Sequence, residues 1–150
     1  MGDYPSHLVR QRTLADGRRV TIRPIRAEDE PAEREFISRT PVDYDRHMAF
    51  VCEVRVDDRH RLVGEARYAA NPDARSCEFG VVIADAWHKS GIAGLLMEAL
   101  IRFAQARGYE TMEGMVLRDN HDMLKFVRAL GFEAAAMPEE PTLMRVARKL

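Results

Sequence analysis

The most constraining part of the sequence is residues 79–106, where an apolar run, a turn of small residues and a helical pattern follow one another. The run centred on 79–83 is almost continuously apolar and predicts a strand over 76–84 that is buried on both faces. Apolar residues then recur at helical spacing from Ile92 to Ala104, and Arg107-Gly108 ends the pattern. This succession predicts an α/β protein in which a helix packs on a sheet.

The remaining segments predict further strands and two shorter helices. Strands are expected at 19–25, 48–56, 61–69, 111–117 and 142–148, and helices at 27–39 and from Asp119-Asn120 to Gly131. Turns are expected at Asp57–His60 and Asn71–Asp73. Residues 1–12 show no pattern and are interpreted as a flexible lead-in to a single domain over 13–150. The central run of strands excludes a pure Rossmann winding.

Composition argues against several classes of protein. The 150 residues carry a net charge of -1, whereas nucleic-acid binding requires a local excess of Lys and Arg. The nearest approach to a basic patch is Arg145, Arg148 and Lys149. No apolar run reaches the roughly 20 residues of a membrane span. Cys52 and Cys77 are interpreted as buried free thiols. We therefore expect a cytoplasmic protein without a nucleic-acid or membrane partner.

The turn before the long helix has the features of a phosphate-binding loop. It comprises His88, Lys89, Ser90, Gly91, Ile92, Ala93 and Gly94. A helix N-terminus offers unpaired N–H groups and the positive end of the helix dipole, and small residues let a ligand approach the backbone. Neither a P-loop nor a dinucleotide-binding fingerprint is present. The alternative is a small-residue turn that only lets the helix pack closely on the sheet.

Several motifs carry a resemblance to a known superfamily. His88-x-x-Gly91-x-Ala93 resembles the pyrophosphate-binding signature of the GNAT acetyltransferases, and Asn120-x-x-Met123 with Leu130-Gly131-Phe132 resembles their second signature. Segments 43–51, 65–68 and 76–83 are similar to the acetyltransferase domain of bacterial Pat-type protein lysine acetyltransferases. The resemblance implies a GNAT-type acyl-CoA N-acyltransferase fold of the α/β (α+β) class. Its mixed, mostly antiparallel central sheet is flanked by helices.

The sequence departs from the family at three points. His88 stands in place of the loop's Gln or Arg, and Lys89 in place of its usual second glycine, although the backbone donors survive both changes. The arm before Asp43 is shorter than in the family, which leaves the acceptor open. Third, we expect the transferase domain alone, without the synthetase-like or cyclic-nucleotide-binding domains of some Pat relatives.

The resemblance implies acetyl transfer from acetyl-CoA, as co-substrate, to a primary amine such as a protein lysine. A lysine amine has a pKa near ~10.4 and must lose a proton before it attacks. Glu78 is the candidate general base because it is the one acidic residue of its strand and aligns with the base of Pat-type enzymes. Burial there would raise its pKa toward the working range of a base. The alternative is a carboxylate that faces solvent or pairs with Arg75.

Other roles follow from the same resemblance. Main-chain groups of Val81, Val82 and Ile83 are expected to pair with the pantetheine arm, and an N–H near Val82 to stabilise the tetrahedral oxyanion. Asn120 either contacts coenzyme A or caps its helix. The position of the tyrosine acid of many GNAT enzymes holds Val127.

A metal site is not expected, since His121, Asp119 and Asp122 have no second His or Cys at ligand spacing.

Three functions therefore stay open from the sequence. They are a protein lysine acetyltransferase, a small-amine acetyltransferase acting on a polyamine, amino acid or antibiotic, and a non-catalytic acetyl-CoA sensor that would not need Glu78. Tyr44 and His47 are candidates to line the acceptor side, and Trp87 either anchors the loop or leans on the coenzyme. The oligomeric state, monomer or homodimer, is also left open.

Overall fold

A computed structural model of the protein describes residues 4–29 and 46–150, which contain eight strands and two α-helices. The elements are β1 Arg10–Thr13, β2 Arg19–Pro24, β3 His47–Val56, β4 Arg59–Ala70, β5 Ser76–Ile83, α1 Ile92–Ala106, β6 Thr111–Leu117, α2 His121–Ala129, β7 Glu133–Ala136 and β8 Leu143–Lys149. The strands form one sheet in the order β1-β2-β3-β4-β5-β6-β8-β7. β5 and β6 pair in parallel, and the other neighbours are antiparallel. The predicted mixed, mostly antiparallel sheet with flanking helices is confirmed.

The sequence pattern does not predict β1 and β7. Three of the four residues of β1 fall within 1–12, where we expected a flexible lead-in. All four, residues 10–13, pair with β2. All four of its side chains are exposed, so the strand has no apolar alternation to detect. β7 is a four-residue edge strand rich in alanine. The helix expected over 27–39 starts with a 3-10 turn at Ala27–Asp29, and its remainder lies outside the described residues.

The hairpin between β3 and β4 turns on two residues. Asp57 and Asp58 both have left-handed backbone angles, with φ of 51° and 62°, which is the pattern of a type I′ turn. The turn is narrower than expected because Arg59 and His60 already pair with Val56 and Arg55. The resulting long hairpin supplies two central strands of the sheet.

The two faces of the sheet differ in what covers them. α1 packs on β2 to β5, and residues such as Phe50, Tyr68 and Met112 form the main core with Leu96 of α1. The opposite face, here called the second face, carries exposed or half-buried residues of β5 and β6, namely Glu78, Gly80, Val82, Glu113, Met115 and Leu117. Core and candidate chemistry therefore lie on opposite sides of the same strands.

Both cysteines are free and fully buried in this core, as the sequence predicts. Burial raises the pKa of the Cys52 thiol and of the Cys77 thiol to about 12. Because the thiolate is the reactive form, both side chains act as small apolar groups.

A buried arginine joins β2, β3 and the 3-10 turn Ala27–Asp29. The side chain of Arg23 is 2% exposed, donates to both carboxylate oxygens of Asp29 at 2.7 and 2.8 Å, and reaches Glu53 at 3.2 Å. Asp29 also accepts from the backbone N–H of Arg26 at 2.7 Å. This network fixes the start of the chain segment that follows β2.

Candidate functional site

β5 and β6 run together for three residue pairs and then separate. Their parallel pairing extends from Ser76–Thr111 to Glu78–Glu113. Where it ends, the ring of Phe79 lies against Gly114, so closely that a Cβ on Gly114 would be 2.7 Å from a ring carbon. The same ring packs on Phe132 with centroids 5.0 Å apart. The separation leaves a gap, here called the β5–β6 opening, between 79–83 of β5 and 114–117 of β6.

The edge of β5 that faces this opening presents main-chain groups. In an antiparallel pair alternate N–H and C=O groups point away from the partner, and 79–83 pair with β4 on the other side. Ala84 N–H bonds to the carbonyl of Val63 on β4, so the alternation directs the main-chain groups of Val81 and Ile83 toward the opening and those of Val82 toward β4. The carbonyl oxygen of Ile83 already accepts a hydrogen bond from Nε2 of His88 at 2.9 Å.

The expectation that this strand is buried on both faces is wrong. Val81 and Ile83 pack on the main core, but Glu78 is exposed and the side chain of Val82 is 40% exposed on the second face. An apolar run shows that a strand contacts a core, but it does not show that a second layer covers the other face.

The loop after β5 ends at the N-terminus of α1 with unpaired donors. Lys89 has φ 62° and Gly91, the residue before the helix, has φ 96°. The first helical hydrogen bond runs from Leu95 N–H to the carbonyl of Gly91 at 3.4 Å. Within the described residues, the N–H groups of Ala93 and Gly94 have no acceptor. The predicted cluster of backbone donors is therefore present.

The surroundings of the glycines help to distinguish an anion-binding loop from a turn that only lets the helix pack closely on the sheet. A Cβ on Gly91 or Gly94 would have no atom within 4 Å, so close packing of the helix does not require glycine at either position. The close approach of helix and sheet occurs instead at Gly64 of β4, where a Cβ would lie 2.9 Å from Ile83 and 3.1 Å from Leu96. This contrast argues against the simple packing alternative for the loop.

Charge at the helix N-terminus agrees with an anion site. The first turn of α1 contains no acidic residue, although Asp or Glu there would stabilise the helix through its dipole. A bound phosphate would supply the same stabilisation. The loop is thus electrostatically and sterically suited to the pyrophosphate of a coenzyme.

The structure places Glu78 at the closed end of the β5–β6 opening, but not in a buried environment. Its side chain is exposed on the second face, so the expected burial is wrong. Arg75, its suggested ion-pair partner, lies 3.8 Å from Glu110 instead. Within the described residues no ion-pair partner faces Glu78. The carboxylate is therefore free to meet a ligand on this face.

Glu113 is a site residue that the sequence interpretation missed. It is the register partner of Glu78, and its carboxylate accepts from Asn71 Nδ2 at 2.9 Å and pairs with Arg145. Asn71 is itself held by Ser76 Oγ at 2.8 Å. Glu113 is the one charged residue of β6, just as Glu78 is the one acidic residue of β5. The criterion that identified Glu78 could therefore have identified Glu113. Arg145 belongs to the basic group of Arg145, Arg148 and Lys149, and its charge is neutralised by this ion pair.

Asn120 caps the second helix, which is one of the two roles expected from the sequence. Its Oδ1 accepts from the N–H of Met123 at 3.1 Å and caps α2. Val127, at the tyrosine position of the second signature, is fully buried.

Trp87 anchors the loop on the main core. His47 is half-buried on β3, and Tyr44 lies outside the described residues.

Two features are absent from the described residues. No group of three or more His, Cys, Asp or Glu side chains is arranged to hold a metal ion. No helix among these residues has both the length and the apolar character needed to cross a bilayer.

Solved structures reproduce this fold. The GNAT domain of PAT from S. lividans has a TM-score of 0.83 at 20% identity, covering 99% of this chain and 100% of that chain. The cAMP-binding acyltransferase from Mycobacterium smegmatis has a TM-score of 0.72 at 21% identity, covering 96% of this chain and 48% of its own. At these identities the likeness establishes the fold.

Sequence comparison establishes the family. The model of the acetyltransferase (GNAT) family matches residues 19–132. Acetyltransferase PA5475 of Pseudomonas aeruginosa is 34% identical over 155 residues, covering 87% of this chain and 83% of that protein. With the motifs, the loop and the fold in agreement, the chain belongs to the GNAT family and is a GNAT-type N-acetyltransferase.

Proposed function

We propose that this enzyme transfers acetyl from acetyl-CoA to a protein lysine ε-amine, with Glu78 as general base. The observation that carries the proposal is the position of the free Glu78 carboxylate at the closed end of the β5–β6 opening. The opening leads from there along the edge of β5 toward the loop at the N-terminus of α1. An acyl donor bound by its phosphates at the loop would thus extend toward the carboxylate.

The donor would be held mainly by backbone. The N–H groups of the 88–94 loop suit the pyrophosphate, and the edge of Val81 to Ile83 suits the amides of the pantetheine arm. When bound, acetyl-CoA supplies an activated thioester with a stable leaving thiolate. An N–H near Val82 would stabilise negative charge on the attacked carbonyl oxygen.

Glu78 would take a proton from the incoming ammonium, directly or through water, and the neutral amine would then attack the thioester carbonyl. Because its carboxylate is exposed, it can accept a hydrogen bond from an amine that arrives on the second face and pass the proton to solvent. The buried Val127 offers no acid to the leaving thiolate, which water would reprotonate.

The proposed acceptor rests on sequence resemblance and on the exposed surface. Segments 43–51, 65–68 and 76–83 resemble Pat-type protein lysine acetyltransferases, and the exposed surface around Glu78 with Val82 and Met115 is open to a protein lysine. The second candidate is a small amine, which the short arm before Asp43 favours. Free, buried thiols agree with a reducing cytoplasm.

Thermal unfolding with acetyl-CoA, coenzyme A and NADH tests the donor site. A ligand at ~100 times its Kd adds about 2.7 kcal/mol of stability, so both CoA compounds should raise the Tm and NADH should not. Absence of a shift at millimolar coenzyme would remove the donor assignment.

Thiol release in the presence of lysine peptides, polyamines or amino acids tests the chemistry. Glu78→Gln should lower turnover by about 10²- to 10⁴-fold while keeping the thermal shift. Glu133→Gln is the matched control, since Glu133 is also exposed but lies on the edge strand β7. Full turnover by Glu78→Gln would remove the base assignment, and binding without transfer to any amine would indicate a sensor.

A further inference from the structure

The loop that leads to α1 is contacted from outside by the turn between β1 and β2. The guanidinium carbon of Arg18 lies 4.1 Å from the ring centroid of Trp87, the residue just before the loop. The Trp87 ring also packs against the main core. Trp87 is therefore held by the core and by a cation from another part of the chain.

Arg18 is itself fixed in place. Asp16 accepts from its backbone N–H at 3.0 Å and from its Nε at 2.7 Å. The turn is closed by a hydrogen bond from Leu14 N–H to the carbonyl of Arg18 at 2.8 Å, and Leu14 is buried in the core. The half-exposed Arg18 side chain is thus oriented over the indole by its bonds to Asp16.

Trp87 in turn fixes the loop. Its carbonyl oxygen accepts from the N–H of Ser90 at 3.3 Å and from Oγ of Ser90 at 2.6 Å, and the same Oγ is 3.4 Å from Ile92 N–H. The side-chain contacts of His88 and Ser90 arise within residues 83–92. Arg18 links the loop to the rest of the fold by a side-chain contact from outside that segment.

We propose that Arg18 is a positioning residue for coenzyme binding, which acts by holding Trp87 and thereby aims the donors of the 88–94 loop. The proposal rests on the coenzyme site proposed above. Since Asp16 pairs with Arg18, the guanidinium is not a free cation for a phosphate. Its loss should therefore weaken binding of coenzyme A and of dephospho-coenzyme A by the same factor.

Trp87 makes the test direct because it is the single tryptophan of the chain. Arg18→Ala should increase acrylamide quenching of its fluorescence in the free protein. A cation–π contact at an exposed site is worth enough to change an affinity by about fivefold, so the KM for acetyl-CoA should rise by about that factor at unchanged kcat. Arg18→Lys should recover part of both effects. Arg12→Ala, an exposed arginine on β1, is the matched control.

The outcomes separate the proposals. If Arg18→Ala exposes Trp87 but leaves coenzyme affinity unchanged, or if kcat falls with no change in KM, the positioning role is wrong. A loss confined to coenzyme A, with dephospho-coenzyme A unaffected, would indicate a direct phosphate contact and also overturn it. If the wild-type protein binds neither compound, the coenzyme site itself is wrong and this proposal falls with it.

Discussion

The proposed pyrophosphate site can be tested by replacing Gly94 with Asp or with Asn, two side chains of similar size that differ in charge. It occupies the first turn of α1, where a Cβ would meet nothing within 4 Å, so both Asp and Asn fit without a clash with the rest of the chain. In the free protein, Gly94→Asn should gain a few tenths of a kcal/mol from helix propensity. Gly94→Asp should gain about 0.3–1 kcal/mol more, because its carboxylate complements the helix dipole.

The same pair of variants should rank in the opposite order for coenzyme binding. At a separation of ~7 Å and an effective dielectric constant of ~40, two unit charges interact by about 1 kcal/mol. A pyrophosphate with two negative charges would therefore lose about 2–2.5 kcal/mol beside the carboxylate of Gly94→Asp. That loss is roughly a 50-fold weakening relative to Gly94→Asn.

Urea unfolding gives the stability of both free variants, and isothermal titration with coenzyme A gives their affinities. The expected result is a more stable Asp variant that binds much more weakly than the Asn variant, with the difference reduced at high salt. If both variants bind coenzyme A as tightly as the wild-type protein, no phosphate lies at this end of the helix. If both lose binding equally, steric bulk rather than charge is responsible.

Two further predictions concern the framework. Burial raises the pKa of Asp29, but its bonds to Arg23 and Arg26 outweigh this and leave it lowered, so its contribution to stability is present above about pH 4 and is lost as pH falls through the folded-state pKa. Asp29→Asn should cost about 3 kcal/mol at pH 7 by urea unfolding, and the difference from wild type should shrink below pH 4; a constant difference down to pH 3 would contradict this. Gly114→Ala places a Cβ 2.7 Å from the Phe79 ring and should cost about 1–3 kcal/mol in the same assay. An unchanged unfolding midpoint would show that the ring can move aside.

The sequence predicts the parts of this fold that have a strong periodic signal. The helix from Ile92 and the loop before it appear where expected because an amphipathic stripe and a glycine-rich N-terminus are local properties. β1 escapes prediction because its four exposed side chains show no alternation, and its pairing with β2 depends on backbone hydrogen bonds. Such a strand exists only because a partner strand is adjacent.

The environment of Glu78 was predicted less well for a different reason. Its position on an apolar strand indicated burial, whereas exposure depends on where β5 leaves β6 and on what covers the second face. The contact of Phe79 with Gly114 marks that point of separation, but it joins residues 35 positions apart and has no local signal. The same holds for Glu113, whose bonds to Asn71 and Arg145 come from distant segments.

The proposed donor site consists mainly of backbone groups, whereas the proposed acceptor site consists of side chains. The comparison with the family therefore supports the first more than the second. The edge of β5 and the N–H groups at α1 depend on the fold, which is shared with the GNAT domain of S. lividans PAT at 20% identity. His88 and Lys89 can therefore replace the usual loop residues without removing the donors. The acceptor, in contrast, would meet the side chains of the second face, such as Val82 and Met115, and a shared fold does not determine these side chains. Donor binding is for this reason the better supported half of the proposed reaction, and the acceptor screen is the experiment that decides the other half.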